Sequence, residues 1–564
     1  MNVRRHGPRP SGRLGPVGSG VLSLLPLAFL AVFFLVPVAT IVLTGLRPDG
    51  RWQLGVIADV LGDDALRGVI WFTAWQAVLS TLLTLAIGLP VAYALTRFDF
   101  RGRWLLMSAI TVPFVLPTVV VAVAFLVVLA PGGPLGGPLG GWWRDAPLDL
   151  RGTLAAILLA HVFFNIAVVV RVVGGLLEQL DPRLEDAAAS LGAGRIRTAF
   201  EVVLPLARPA ILSAAGIVFL FTFTSFGVVL LLGGSEHATL EVEIQRQTAL
   251  LLDLPVAAAL SMIQLAIVGT LLAVGADRQQ DIAVEQPLAP AGSGARSPRR
   301  ASERAFLGAV LTVVAVLLGT PLAMLVGRSF RGADGSWTVE WYRLLADPDA
   351  SVLGVAALDA VRHSVEFAVV ATVVALVVGV SASVVVMRGP RRLARTLDVL
   401  LVLPLGVSAV TVGFGFIISL DDPPLDLRSS WWLIPMAQAL VAVPFIVRVV
   451  VPVLASIDER LREAAAALGA SPARVWREVD LPLVGRAVGV AAGFAFAISL
   501  GEFGATVFIA RADTVTVPVA ILRLLGRPGP SNLGQAMALS TILMVMTTAS
   551  LLAISRIRPR GVGR

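Results

Sequence analysis

Neither cysteine nor lysine occurs anywhere in these 564 residues. Without cysteine there are no disulfides and no thiolate metal sites. Without lysine there is no P-loop: GxxxxGK[ST] needs its lysine to reach the β- and γ-phosphates, so the chain cannot hydrolyse ATP by that route. ATP-driven work would need a motor on a separate polypeptide. Histidine is scarce as well. His6, His161, His237 and His363 lie far apart in sequence, and no HExxH or GxSxG stands in a fitting context. No catalytic set emerges, and an enzyme is not expected. Charged residues make up only 15% of the chain.

What is plentiful is apolar. Hydrophobic residues reach 57% and mean hydropathy is +0.86. No soluble core could absorb that much apolar surface, so the composition predicts an all-α polytopic membrane protein. A helix crosses the hydrocarbon in about 20 residues at roughly 1.5 Å each. Twelve stretches are long enough: 21–46, 68–96, 105–130, 152–177, 209–233, 255–275, 305–327, 363–387, 397–420, 430–455, 487–510 and 533–555. The stretch Val21–Leu46 is too long for a signal-peptide core and reads as a retained first span.

A pI of 11.1 would suggest nucleic acid in a soluble protein. Here the cations cluster in alternate loops, and no nucleic-acid partner is expected. Arg4, Arg5, Arg9 and Arg13 precede the first span; Arg97, Arg101 and Arg103 follow the second. Arg388, Arg391, Arg392 and Arg395 follow the eighth, and Arg556, Arg558, Arg560 and Arg564 close the chain. With twelve spans these segments share one side, which the positive-inside rule makes cytoplasmic, both termini included.

The thirty residues Asp181–Ala210 recur at Asp458–Ala487, 277 positions on and without a gap, with sixteen identities. The offset also pairs Arg171 with Arg448, His161 with Gln438, Gly216 with Gly493 and Phe226-Gly227 with Phe503-Gly504. Register held through a polar loop argues for duplication and fusion. The expected organisation is an N-terminal cytoplasmic tail (1–20), a first half (21–276, core 68–276), a Pro/Gly/Ser/Arg-rich cytoplasmic linker (277–304), a second half (305–556, core 363–555) and a basic tail (557–564). PGGPLGGPLGG at 131–141 reads as a pliable external loop. Gly327–Arg362, with Trp337, Trp341 and Tyr342, reads as a short amphipathic helix along the interface.

In DAAASLGA and EAAAALGA an acidic residue opens a run of alanines, which favours a short helix with its charge near the positive end of the dipole. Small side chains leave a narrow cylinder able to enter a groove on another protein. Gly192 and Gly469 then end the helix with a sharp turn. Leu204-Pro205 and Leu481-Pro482 start the return into the next span, where proline is tolerated in a first turn.

An EAA run followed by G and a downstream LP resembles the signature loop of permease subunits of bacterial ABC importers. Glu463, Ala464, Ala465, Gly469 and Pro482 match it fully; in the first copy Asp186 replaces the glutamate, beside Ala187, Ala188, Gly192 and Pro205. The resemblance implies the type I ABC importer permease (MetI-like) fold, with two repeated six-helix halves in the bacterial cytoplasmic membrane. It implies a coupling helix in each loop, docked on one of two copies of an ATP-binding subunit at the cytoplasmic side. It further implies a substrate-binding protein outside, lipid around, and a small-molecule or metal-ion solute. No cofactor is bound by the chain, since ATP and magnesium sit on the partner subunits.

Fused two-half permeases resemble ferric-iron, thiamine and some phosphonate or polyamine importers. FTAWQAVLS (72–80), ILLAHVFFN (157–165) and FTSFGVVLLLGG with ATLEVEI (223–234, 238–244) look most like the thiamine permease. SLGEFGATVFIA (499–510) is shared with iron, sulfate and molybdate permeases. Thiamine is the expected solute, with ferric iron the alternative. An ion-gradient-driven secondary transporter is the rival from another class; it would be expected to concentrate carboxylates near the midplane, where only Glu366 and Glu502 qualify.

Polar residues within spans usually face an aqueous path or a bundle interior. His161 and Asn165 share one face of the fourth span, Gln438 is the repeat-mate of His161, and Glu502 stands opposite Ser225. These five are the candidates for a translocation path, and hydrogen bonding to neighbouring helices is the alternative reading. Gln76 and Gln264 lie in other spans. Arg171 and Arg448, near cytoplasmic helix ends, are expected to snorkel.

Overall fold

The computed structural model describes residues 16–47, 50–53, 55–131, 133, 149–181, 183–281, 295–348, 353, 356–421 and 426–557. The tail before residue 16, nearly all of the 131–141 segment, residues 282–294 of the linker and the basic tail from 558 onward lie outside the described residues. The described residues are helical, with no β-strand among them. The first repeat contains α1 (Gly20–Leu46), α2 (Asp64–Arg97), α3 (Arg103–Val115), α4 (Thr118–Leu129), α5 (Leu154–Gln179), α6 (Arg183–Ser190), α7 (Ala199–Phe223), α8 (Gly227–Leu232) and α9 (Leu254–Ala273). The second contains α10 (Ala301–Ser329), α11 (Ala357–Arg388), α12 (Arg391–Gly406), α13 (Ala409–Ser419), α14 (Leu433–Ser456), α15 (Glu459–Ala467), α16 (Trp476–Gly501), α17 (Thr506–Ile509) and α18 (Pro530–Ile554).

Ten of these helices are long and apolar enough to cross a membrane. The two missing spans are broken ones. The span expected at 105–130 is two helices, α3 and α4, bent by 106° at Leu116–Pro117. Proline pushes its predecessor out of the helical region, and Leu116 is extended at φ −66°, ψ 139°. The span expected at 397–420 is also divided, into α12 and α13, at Val407, which is extended at φ −93° and ψ 134° although serine and not proline follows it. Leu116, Pro117, Gly406 and Ser408 are all buried. Interrupted backbone at membrane depth is tolerated only under such cover.

Each bent pair still carries the chain across once. Arg97, the last residue of α2, forms an ion pair with Glu185 just beyond α5, at 2.7 Å. Helices α2 and α5 therefore end at the same face, and the chain between them must recross. Arg388 at the end of α11 meets Asp480, which also holds Arg462 of α15. The Arg462 guanidinium donates to the Leu454 carbonyl near the end of α14, at 3.2 Å. So α11 and α14 end together too, and α12–α13 supplies the return. Ten long helices, the bent pair α3–α4 and the divided pair α12–α13 make six crossings per repeat.

Packing groups the chain into two compact units that do not follow the linker. One contains Met1–Leu43, Gly354–Ala520 and Val545–Arg564; the other contains Thr44–Leu353 and Ile521–Met544. Thus α1 packs on α11, and the second part of α10 packs on α4. The most extensive helix pair in each unit is a close crossing. A Cβ at Gly88 of α2 would lie 2.8 Å from Val169 Cβ of α5, and a Cβ at Gly379 of α11 would lie 2.9 Å from Ile446 Cβ of α14. Small residues let helix backbones approach this closely in lipid. Gly88 and Gly379 are 291 positions apart, whereas Val169 and Ile446 are 277 apart. The extra fourteen residues of the first repeat lie between these two sites, a stretch that includes the glycine- and proline-rich 131–141 segment.

Between α10 and α11 the described residues hold one helix of five residues, Glu340–Leu344. Trp341 is buried against Gly534, and its indole N–H donates to the Arg331 carbonyl at 2.7 Å. It is a packing residue of its unit, while Trp337 remains exposed.

Candidate functional site

The two polar loops have the same construction. Asp181 accepts a hydrogen bond from the Arg183 amide at 2.9 Å, and Asp458 accepts one from Arg460 at 3.0 Å, so each starts α6 or α15 with a side-chain cap. Neither helix buries any residue. Asp186, Ala187 and Ala188 lie in α6, and Glu463, Ala464 and Ala465 occupy the same positions in α15. Both helices end in the same left-handed cap. The Ala193 amide donates to the Ala188 carbonyl at 3.0 Å and Gly192 to Ala189 at 3.0 Å; Ala470 donates to Ala465 at 3.0 Å and Gly469 to Ala466 at 2.9 Å. Gly192 and Gly469 have φ of +82° and +81°. Nothing lies within 4 Å of a Cβ built on either, so backbone conformation alone demands glycine there.

Beside each glycine a leucine stands out from the surface: Leu191 is 90% exposed and Leu468 89%. The same large apolar side chain is thus left bare at the same place in both copies.

The return differs from the expectation. The helical path resumes at Arg195 and at Pro472, well before the Leu-Pro, and Pro205 and Pro482 lie inside it. Each proline is preceded by a π-turn, Ala199–Val203 or Trp476–Asp480, in which Leu204 donates to the Ala199 carbonyl and Leu481 to the Trp476 carbonyl. A proline ring collides with the carbonyl four residues back and has no N–H to offer it; a widened turn relieves both problems. Ala31–Leu35 before Val36-Pro37 and Ala315–Gly319 before Thr320-Pro321 repeat the device in α1 and α10.

Three of the five polar candidates come together. The His161 ring bridges the Ser80 and Ser225 hydroxyls at 2.9 Å each, and Asn165 donates to the His161 carbonyl at 2.9 Å. Gln76 joins the same level by donating to the Thr222 carbonyl at 3.1 Å. The set stitches α2, α5 and the end of α7, and His161 and Asn165 are buried. Gln438 is buried in α14, in the other unit. Glu502 follows the end of α16 at Gly501, so the expected span 487–510 stops earlier. Its carboxylate accepts from the Ala505 amide at 2.7 Å, the Thr506 amide at 3.1 Å and the Thr506 hydroxyl, and so caps α17. Glu366 is half exposed and pairs with Arg362 at 3.3 Å. Sequence reasoning passed over Glu241, a fully buried carboxylate that accepts from Gln264 at 2.5 Å. Among the described residues no group of three His, Asp or Glu could hold a metal.

His161→Leu should destabilise the chain by about 1–3 kcal/mol, because it strands the buried Ser80 hydroxyl and the half-buried Ser225 hydroxyl. Thermal unfolding of the purified protein measures it, and an unchanged midpoint would remove His161 from the structural framework.

The profile of the family described as "Binding-protein-dependent transport system inner membrane component" matches residues 84–285 and 371–560. The chain is 28% identical over 508 residues to the thiamine transport system permease protein ThiP of Brucella suis, covering 88% of each. It is 26% identical over 550 residues to a probable ABC transporter permease protein, y4fN, of Sinorhizobium fredii, covering 95% of this chain and 96% of that one. It is also 36% identical over 166 residues to the molybdenum transport system permease protein ModB of Azotobacter vinelandii, covering 29% of this chain and 72% of the relative.

Proposed function

Because the chain belongs to the family of binding-protein-dependent transport system inner membrane components and carries that domain twice, we propose that it is the two-half permease of an ATP-driven thiamine importer. The observation that carries the transport reading is the pair of loops. Each unit presents one short helix with no buried residue, a fixed glycine cap and a bare leucine. That is the form of an element made to be held by another protein.

On this reading the loop face is cytoplasmic, both termini lie there, and α6 and α15 each dock on one ATP-binding subunit. Those subunits bind ATP and magnesium and do the hydrolysis. A binding protein delivers solute at the opposite face. Closure of the ATP-binding subunits displaces α6 and α15, and the two repeats rock so that the path opens outward and then inward. Nucleotide state can bias the permease only through elements that the motor touches differently in its two states. Thiamine is favoured by the similarity to ThiP, which covers 88% of the chain, and by the 72–80, 157–165 and 223–234 with 238–244 passages.

The test is uptake of labelled thiamine and labelled ferric iron in cells lacking this chain, with and without complementation. Thiamine uptake restored by the intact chain, but not by Glu463→Arg, is the expected result. Iron uptake restored instead would assign the ferric branch. Uptake that needs no ATP-binding partner would overturn the importer reading.

A further inference from the structure

The two loops are tied to their units by different charges at matching places. In the first, Glu185 of α6 meets Arg97 at 2.7 Å and accepts from the Tyr93 hydroxyl at 3.2 Å. In the second, the position of Glu185 is taken by Arg462, and the carboxylate has moved to Asp480, where the first repeat has Val203. Arg97 has its counterpart in Arg388, at the offset of Gly88 and Gly379. Asp480 has no exposed surface; it lies 2.5 Å from Arg388 Nη2 and 2.8 Å from Arg462 Nε. The Arg388 guanidinium also lies 5.8 Å from the centre of the Trp476 ring. Asp480 thus closes the π-turn before Leu481-Pro482 while joining the end of α11 to the docking helix α15.

We propose that Arg388, Asp480 and Arg462 form the joint through which α15 moves α11 and α16 as one body, and that Arg97, Glu185 and Tyr93 form its differently wired counterpart in the first repeat. This rests on the importer reading. A buried carboxylate shared by two arginines cannot slide without leaving charge unpaired, so the three helices it joins move together. Asp480 and Glu185 are positioning residues: they touch neither solute nor nucleotide.

The absence of cysteine makes the test direct. Leu358, exposed at the far end of α11, is changed to cysteine and given an environment-sensitive fluorophore in the chain assembled with its ATP-binding subunits. ATP addition should change the emission. Asp480→Asn and Arg462→Glu should each reduce that change about fivefold or more, the lower end of allosteric coupling factors, with the subunits still copurifying. Arg462→Glu combined with Asp480→Val installs the first repeat's wiring, with a glutamate facing Arg388, and should restore most of the response. A double variant no better than Arg462→Glu alone, or an undiminished response in Asp480→Asn, overturns the joint. Failure of any ATP-binding subunit to copurify with the unaltered chain overturns the importer reading and the joint with it. Copurification without thiamine uptake counts against the solute only, and the emission change still decides the joint.

Discussion

Gly469→Pro should abolish uptake while the chain still inserts and assembles. Proline holds φ near −65°, whereas Gly469 stands at +81° and donates to the Ala466 carbonyl at 2.9 Å. The substitution removes that donor and unwinds the end of α15, where Leu468 stands exposed. Nothing lies within 4 Å of a Cβ built there, so the body of the protein has no reason to respond. Uptake should fall by about 100-fold, near the upper end of coupling factors. Gly469→Ala can keep the N–H and the turn at about 1–2 kcal/mol of backbone strain, so it should lose far less. Gly192→Pro should repeat the result in the first loop. Vesicle uptake alongside membrane yield checks all three; normal uptake by Gly469→Pro would remove the loop from energy coupling.

The second large effect concerns stability. Gly379→Leu must push α11 off α14, because even a single Cβ there would sit 2.8 Å from Ile446 Cγ2 and 2.9 Å from its Cβ. Overpacking of this kind costs about 1–3 kcal/mol and sometimes more. The loss should lie at the upper end, since both partners sit on long helices that are packed on further sides. Gly88→Leu should behave alike against Val169. Gly379→Ala with Ile446→Ala should recover much of the stability lost by Gly379→Ala alone, since it returns the space. Heating the detergent-solubilised protein and following the monodisperse fraction measures this, and full stability of Gly379→Leu would show that the crossing is looser than described.

Much of this architecture was legible in the residues. Hydropathy located the crossings, and the shift of 277 exposed the paired loops, whose caps agree to 0.1 Å in their hydrogen bonds. Hydropathy cannot see a ψ angle, so VPFVLPTVV read as one span although Pro117 breaks it. Gly88 and Gly379, like Arg97 and Arg388, escaped pairing because they stand at a different offset from the loops they support. Asp480 escaped because its counterpart is Val203, and a charge that changes place between copies leaves no repeated letter. The end of α16 at Gly501 escaped because it is set by local backbone geometry that apolar composition does not record.

The broken spans have a consequence for translation. Helix α13 lies against α1: a Cβ at its Gly415 would meet Pro37 at 2.8 Å and Ile41 at 3.2 Å. Helix α4 is sheltered by α8 and by the second part of α10, both downstream of it. A nascent chain is made from its N-terminus, so when α13 leaves the ribosome one part of its cover, α1, has already been made, while α14 and α17 follow. Helix α4 waits longer: its packing on α8 and α10 is complete only once α10 has been synthesised.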